Sequence, residues 1–210
     1  MVKLYYTPTS CAASSFICAF IAELKFECEV VDLLTHTTEN GVDFYTINPK
    51  GNVPTIVLDD GTVLNENISC LEYIADNSIK VKLAPEKNTN ERLVVRQLLS
   101  FLASELHSSI GLFFNPNMKK NYGVESFVRS IFNDKMKYLQ KYILKGNQYA
   151  YGTEFSIVDA YLLIILSWTG YVGINLEEYP VAYEYYMRLN KENIIKAARN
   201  RMALIPRFIK

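Results

Sequence analysis

The sequence predicts an α/β unit followed by an all-helical one. Three observations carry that expectation. The first third of the 210 residues alternates strand and helix signals, an Asp-Gly pair joins two short apolar runs, and no convincing strand pattern follows Asn90.

Lys3 to Tyr6 is a short β-prone run, ended by Thr7-Pro8-Thr9-Ser10. Ala13, Phe16, Ile17, Phe20, Ile21 and Leu24 then recur at helical spacing, with Thr9 or Ser10 available as a cap. From Phe26 to Asp32, the apolar Phe26, Cys28 and Val30 alternate with Glu27 and Glu29, which reads as a strand with one wet face. Asn48-Pro49-Lys50-Gly51 signals a turn. Thr55 to Leu58 and Thr62 to Leu64, joined through Asp59-Asp60-Gly61, form a hairpin pattern. Asn65-Glu66-Asn67 caps a helix expected over Ile68 to Ala75.

The order β-α-β, loop, β-β-α requires a parallel first pair and adds two antiparallel strands, a thioredoxin-like layout. It is expected over residues 1–78, with a linker at 79–87 inside the Lys-, Asn- and Pro-rich stretch Asn77 to Asn90. The helical part is expected over 88–210. Leu93, Gln97, Leu98, Phe101, Leu102, Leu106 and Ile110 sketch one amphipathic helix in it. Phe127, Ile131, Met136, Leu139 and Ile143 sketch a second. Ser156-Ile157-Val158-Asp159 reads as a capping box opening a helix apolar nearly all round, the expected centre of the helical part.

Half of the residues are hydrophobic, about a fifth are charged, and 22 basic residues balance 22 acidic ones. This is the balance of a globular protein with no electrostatic bias toward nucleic acid or an anionic membrane. Met1 to Pro8 does not read as a signal peptide, and the apolar run Ala160 to Trp168 is too short to cross a bilayer. A cytoplasmic chain is expected, with Cys11, Cys18, Cys28 and Cys70 as thiols, and their spacing matches no metal site.

Cys11 differs from the other cysteines by position, since it should sit in the first turn of a helix. Unpaired N–H groups and the positive dipole end there favour an anion, and can lower a thiol from roughly 8.5 toward neutrality. That makes Cys11 a thiolate, or a thiol that stabilises one. In Cys11-Ala12-Ala13-Ser14 the place of a resolving cysteine is taken by serine, so disulfide chemistry would need an external thiol. The residue before Pro54 can offer its backbone to an extended peptide, and Glu66-Asn67 at a helix start can hold a peptide's charged end. His36 lies in a polar loop and His107 on a helix.

Together these signals resemble one family. Lys3 to Cys11, Asn48 to Pro54, Leu58 to Leu64 with Glu66, and Tyr73 to Asp76 are similar to the first domain of beta-class glutathione transferases. Ala103 to His107 and Phe155 to Tyr161 resemble their helical domain. The resemblance implies a cytosolic homodimeric enzyme that joins reduced glutathione, its co-substrate, to small electrophiles, with no metal. It places Cys11 beside the glutathione sulfur and His107 near it from the helical side. It assigns His36, Asn52, Val53 with a cis Pro54, Glu66, Asn67 and, across the dimer, Glu105 to glutathione. The chain departs from the family at Thr9, Ala12, His36, Asn67, Ser100 and Ser108. Leu112, Phe113 and Phe114 could wall an apolar acceptor pocket. Two other readings stay open: thiol transfer through a Cys11 mixed disulfide, and a non-catalytic binder of apolar ligands or proteins.

Overall fold

The computed structural model describes residues 1–203, so the end of the expected helical part, 204–210, lies outside the described residues. The described chain forms two compact units. One holds residues 1–84 with the chain from Glu192 onward, and the other holds Pro85–Lys191.

The first unit is built on a five-stranded sheet of order β3-β2-β1-β4-β5. β1 (Lys3–Tyr6) is central, parallel to β2 (Glu27–Asp32) with Leu4 opposite Cys28, and antiparallel to β4 (Thr55–Val57) with Leu4 opposite Ile56. β5 (Val63–Leu64) completes the predicted hairpin, with Gly61 at φ 86° in the turn. The two-residue β3 (Thr37–Thr38), not expected from sequence, pairs antiparallel with β2. Glu29 is consequently not on a wet face. It is 3% exposed and ion-paired with Lys3, and although burial opposes ionisation, hydrogen bonds from Lys3, Thr38 and Asn40 hold its carboxyl below the usual range.

α1 (Ala12–Ile21) buries almost every side chain rather than one stripe, because it packs against β1, α2 (Asn67–Asn77) and the last described helix. It stops where Glu23 turns left-handed at φ 52°, so Leu24 lies beyond it.

In the second unit, α3 (Asn90–Phe101) runs through a π-helical stretch, Leu102–His107, into α4 (Ser108–Gly111). α5 (Tyr122–Tyr138) continues into a second π-helical stretch, Leu139–Leu144. α6 (Ile157–Ser167) is buried along ten of its eleven residues, as its composition predicts, and α7 (Thr169–Val172) and α8 (Pro180–Leu189) follow. The predicted stripes are out of phase at their starts. Leu93 and Phe127 are exposed, while Val95 with Leu99 and Val128 with Phe132 face inward. A π turn uses more residues than an α turn, so one 3.6-residue period cannot be extended through both kinds of helix.

α9 (Asn193–Ala203) packs on α1 and belongs with the sheet unit. The expected helical part, 88–210, therefore differs at its end, because an amphipathic helix does not reveal in sequence which core receives it.

Candidate functional site

The residues singled out in the first unit gather where β1 gives way to α1 and where the loop before β4 turns. Thr7 Oγ1 donates to Val31 O at 2.6 Å, and Ser10 Oγ donates to Thr7 O at 2.9 Å while accepting from Ala12 N at 3.2 Å. That turn leaves Cys11, in helical conformation, as the residue opening α1.

The half-buried Cys11 thiol donates to Val53 O at 3.4 Å. Burial pushes it up to about 12, which the backbone N–H groups of Cys11 and Ala12 only partly oppose and the nearby Glu66 charge reinforces. The expectation of a thiol lowered toward neutrality by the helix start is thus corrected. Desolvation outweighs the dipole here, leaving Cys11 as a protonated donor, the second of the two roles expected of it.

The Val53–Pro54 bond is cis. The Val53 carbonyl receives the thiol, while the Val53 N–H has no hydrogen-bond partner among the described residues. Asn52 braces this loop: its Oδ1 and carbonyl accept from Asn48 Nδ2 at 2.7 and 2.8 Å, and its Nδ2 donates to Asn65 O at 3.2 Å. His36, at φ 51°, is no freely solvated side chain. Its Nδ1 lies 3.1 Å from Gly51 O and its ring leans on Tyr45 at 4.5 Å between centroids. A carbonyl only accepts, so Nδ1 carries a proton.

Glu66 and Asn67 open α2 differently from each other. The exposed Glu66 carboxylate does not cap the helix and pairs with Lys50. The Asn67 side chain is turned inward, with its amide 3.3 Å from the hydroxyls of Ser14 and Ser15 on α1. Lys50 and Ser14 are participants that sequence reasoning did not assign. The turn signal at Asn48 to Gly51 and the serine in the resolving position were the available clues.

In the second unit, Glu105 and His107 lie within the first π-helical stretch, a form often found at functional positions. The Glu105 carboxylate pairs with Lys135 at 2.6 Å. His107 Nδ1 lies 2.6 Å from Tyr161 Oη, and its ring meets Trp168 edge-on at 4.8 Å. Burial pushes the imidazole below its ordinary value, favouring the neutral ring. Tyr161 and Trp168 carried no chemistry in the sequence reading and are the neighbours that orient His107. Of the expected acceptor wall, Leu112 and Phe114 are exposed, but Phe113 faces inward against Phe132 and Arg129, so it is not available as a wall.

Among the described residues no cluster of His, Cys, Asp or Glu is arranged to hold a metal, and no helix is long and apolar enough to cross a membrane.

Comparison with known proteins adds to this geometry. Residues 10–77 match the family model of the glutathione S-transferase N-terminal domain. A glutathione S-transferase of Escherichia coli O157:H7 is 35% identical over 176 residues, covering 84% of this chain and 86% of the relative. A sphingomonad glutathione S-transferase solved with glutathione has a TM-score of 0.89 and 33% identity, covering 96% and 99% of the two chains. A beta-class glutathione S-transferase of Sphingomonas chungbukensis has a TM-score of 0.87 and 33% identity, covering 97% and 100%. With likeness of that degree along nearly the whole of each chain, this chain belongs to the glutathione S-transferase family and is a glutathione transferase.

Proposed function

We propose that this chain is a beta-class enzyme that conjugates reduced glutathione to small electrophiles, with Cys11 next to the glutathione sulfur. The observation that carries this reading is Val53. Its carbonyl faces the Cys11 thiol while its N–H is unpaired, so an extended tripeptide could bond that N–H and bring its own cysteine toward Cys11. The exposed Glu66 and the opening N–H groups of α2 suit the ammonium and carboxylate of the γ-glutamyl end. Asn52 and Pro54 shape that strand-like segment, and His36 is the candidate for the glycyl carboxylate. His107, neutral and held by Tyr161, is assigned to the sulfur from the helical unit, and Glu105 to glutathione across a homodimer in the cytoplasm.

A protonated Cys11 suits conjugation, since the attacking sulfur belongs to glutathione and needs only a donor to stabilise its charge. Thiol transfer needs Cys11 itself as the attacking thiolate, and burial works against that. A paired assay tests the reading, with a chlorodinitrobenzene-type aryl halide beside a glutathione mixed disulfide. Turnover of the halide that survives in Cys11→Ala supports conjugation. Turnover confined to the disulfide and abolished in Cys11→Ala replaces it with thiol transfer, and no turnover of either leaves the binder. Light scattering that returns a monomer mass at micromolar protein would remove the dimer.

A further inference from the structure

Ser14 lies one turn beyond Cys11, and its hydroxyl donates to the Cys11 carbonyl at 2.6 Å, beside Ser14's own N–H at 3.0 Å. A hydroxyl has one proton, and at 2.6 Å that proton is committed to the carbonyl. Ser14 Oγ then has only lone pairs to offer to the amide of Asn67, 3.3 Å away.

If the amide oxygen faces Ser14, that contact sets acceptor against acceptor, and the Asn67 nitrogen is buried with no acceptor at all. A buried donor without a partner bears its full desolvation cost. A half-turn about χ2 exchanges the two ends with little change of shape. Nδ2 then gives one proton to Ser14 Oγ and the other to Ser15 Oγ, so the amide makes two hydrogen bonds, against the one it accepts from the Ser15 hydroxyl when its oxygen faces the serines.

We propose that Asn67 donates to Ser14 and is thereby a positioning residue for Cys11. The chain of contacts runs from the Asn67 amide to the Ser14 hydroxyl to the Cys11 carbonyl, and it fixes the first turn of α1. That turn carries the Cys11 and Ala12 N–H groups that oppose the rise of the thiol. The Asn67 side chain therefore supports the thiol and leaves the γ-glutamyl end to Glu66 and the α2 backbone. This rests on the reading that Cys11 meets the glutathione sulfur.

The test measures reaction of Cys11 with an aromatic disulfide reagent across pH, without glutathione, in a Cys28→Ser background so that the half-buried Cys28 does not contribute. Asn67→Ala and Ser14→Ala should each move the Cys11 profile to higher pH and slow the reaction near neutrality by about three- to tenfold, the worth of one hydrogen bond. The double variant should be no slower than the worse single one, because both cut the same chain of contacts. Asn67→Asp should be as slow as Asn67→Ala, since a carboxylate cannot donate. An Asn67→Asp profile equal to the unsubstituted one would show that the oxygen faces Ser14 and overturn the proposal. So would an unchanged profile in a folded Asn67→Ala or Ser14→Ala, or additive losses in the double variant. Calorimetry on the unsubstituted protein keeps the two ideas apart. Absence of glutathione binding there would sink the glutathione reading, while the Cys11 profiles would still decide the role of Asn67.

Discussion

Each unit of this chain buries a polar cluster, and the two are built on opposite terms. In the helical unit, Asp159 is fully buried and accepts four hydrogen bonds. Oδ1 takes Ala150 N at 2.7 Å and Tyr185 Oη at 2.6 Å, and Oδ2 takes Ser156 N at 2.9 Å and Ser156 Oγ at 2.6 Å. In the sheet unit, the Val53 N–H is unpaired among the described residues, and the partner of the Cys11 thiol among them is the Val53 carbonyl at 3.4 Å. The helix starts differ in the same way. Thr89, Asn121 and Ser156 open α3, α5 and α6 with side-chain caps or a capping box, whereas the Glu66 carboxylate leaves α2 uncapped. A satisfied cluster holds a fold together, and an unsatisfied one keeps donors free for a ligand.

The sharpest way to break this comparison is Asp159→Ala. It strands four buried donors on three residues and should cost about 3–5 kcal/mol, lowering the melting temperature by about 10 °C. Protein that still folds should bind glutathione with unchanged affinity in calorimetry. A melting temperature equal to that of the unsubstituted protein would remove the contrast.

Gly51→Ala should come next. Gly51 sits at φ +63°, and an added Cβ would lie 2.6 Å from Tyr45 Cε1 and 2.8 Å from His36 Nδ1. Strain and displacement of both rings should cost about 1–3 kcal/mol and weaken glutathione binding. Unlike the Asp159 change, this one should register in melting and affinity together. An affinity loss without a melting change would place His36 closer to the ligand than to the fold.

The thiols sharpen the comparison through pH. Burial pushes Cys11 and Cys70 up to about 12 and Cys28 up to about 11. The folded chain therefore holds these protons more tightly than the unfolded chain does. Their contribution to stability is intact below about pH 8.5, the ordinary thiol value, and is lost as pH climbs toward the folded values. Cys11→Ala should flatten part of that alkaline decline in denaturant titrations, at a cost near neutrality of about 1 kcal/mol. Cys11 alkylation that levels off by pH 8 would contradict the raised value.

Lys50→Met should matter least. The Lys50–Glu66 pair is exposed, so its loss should change stability by under about 0.5 kcal/mol. Any larger effect should appear in glutathione affinity, because Glu66 is then unshared.

Much of the site was legible because it follows local chemistry. Cys11 at a helix start, the proline after Val53 and the polar opening of α2 are all visible within a few residues. Asn67 was less legible. Its place at the helix start suggested a ligand contact, but its amide is turned toward Ser14 and Ser15, more than fifty positions away in sequence. Glu29 failed similarly, since the strand that covers it is only two residues long and carries no pattern of its own.

What the sequence determined by itself was the β-α-β, β-β-α order of the first unit apart from β3, the hairpin turn at Gly61, the capping box at Ser156 and the apolar centre in α6. Each depends on neighbours within one turn or one strand pair. Tertiary structure alone decided the protonation of Cys11, because local backbone donors favour a thiolate while burial by distant chain disfavours one, and burial is the larger effect. It also decided the phase of α3 and α5 through their π turns, and the return of α9 to α1. These rest on desolvation and packing summed over residues far apart in the chain, which no short window of sequence contains.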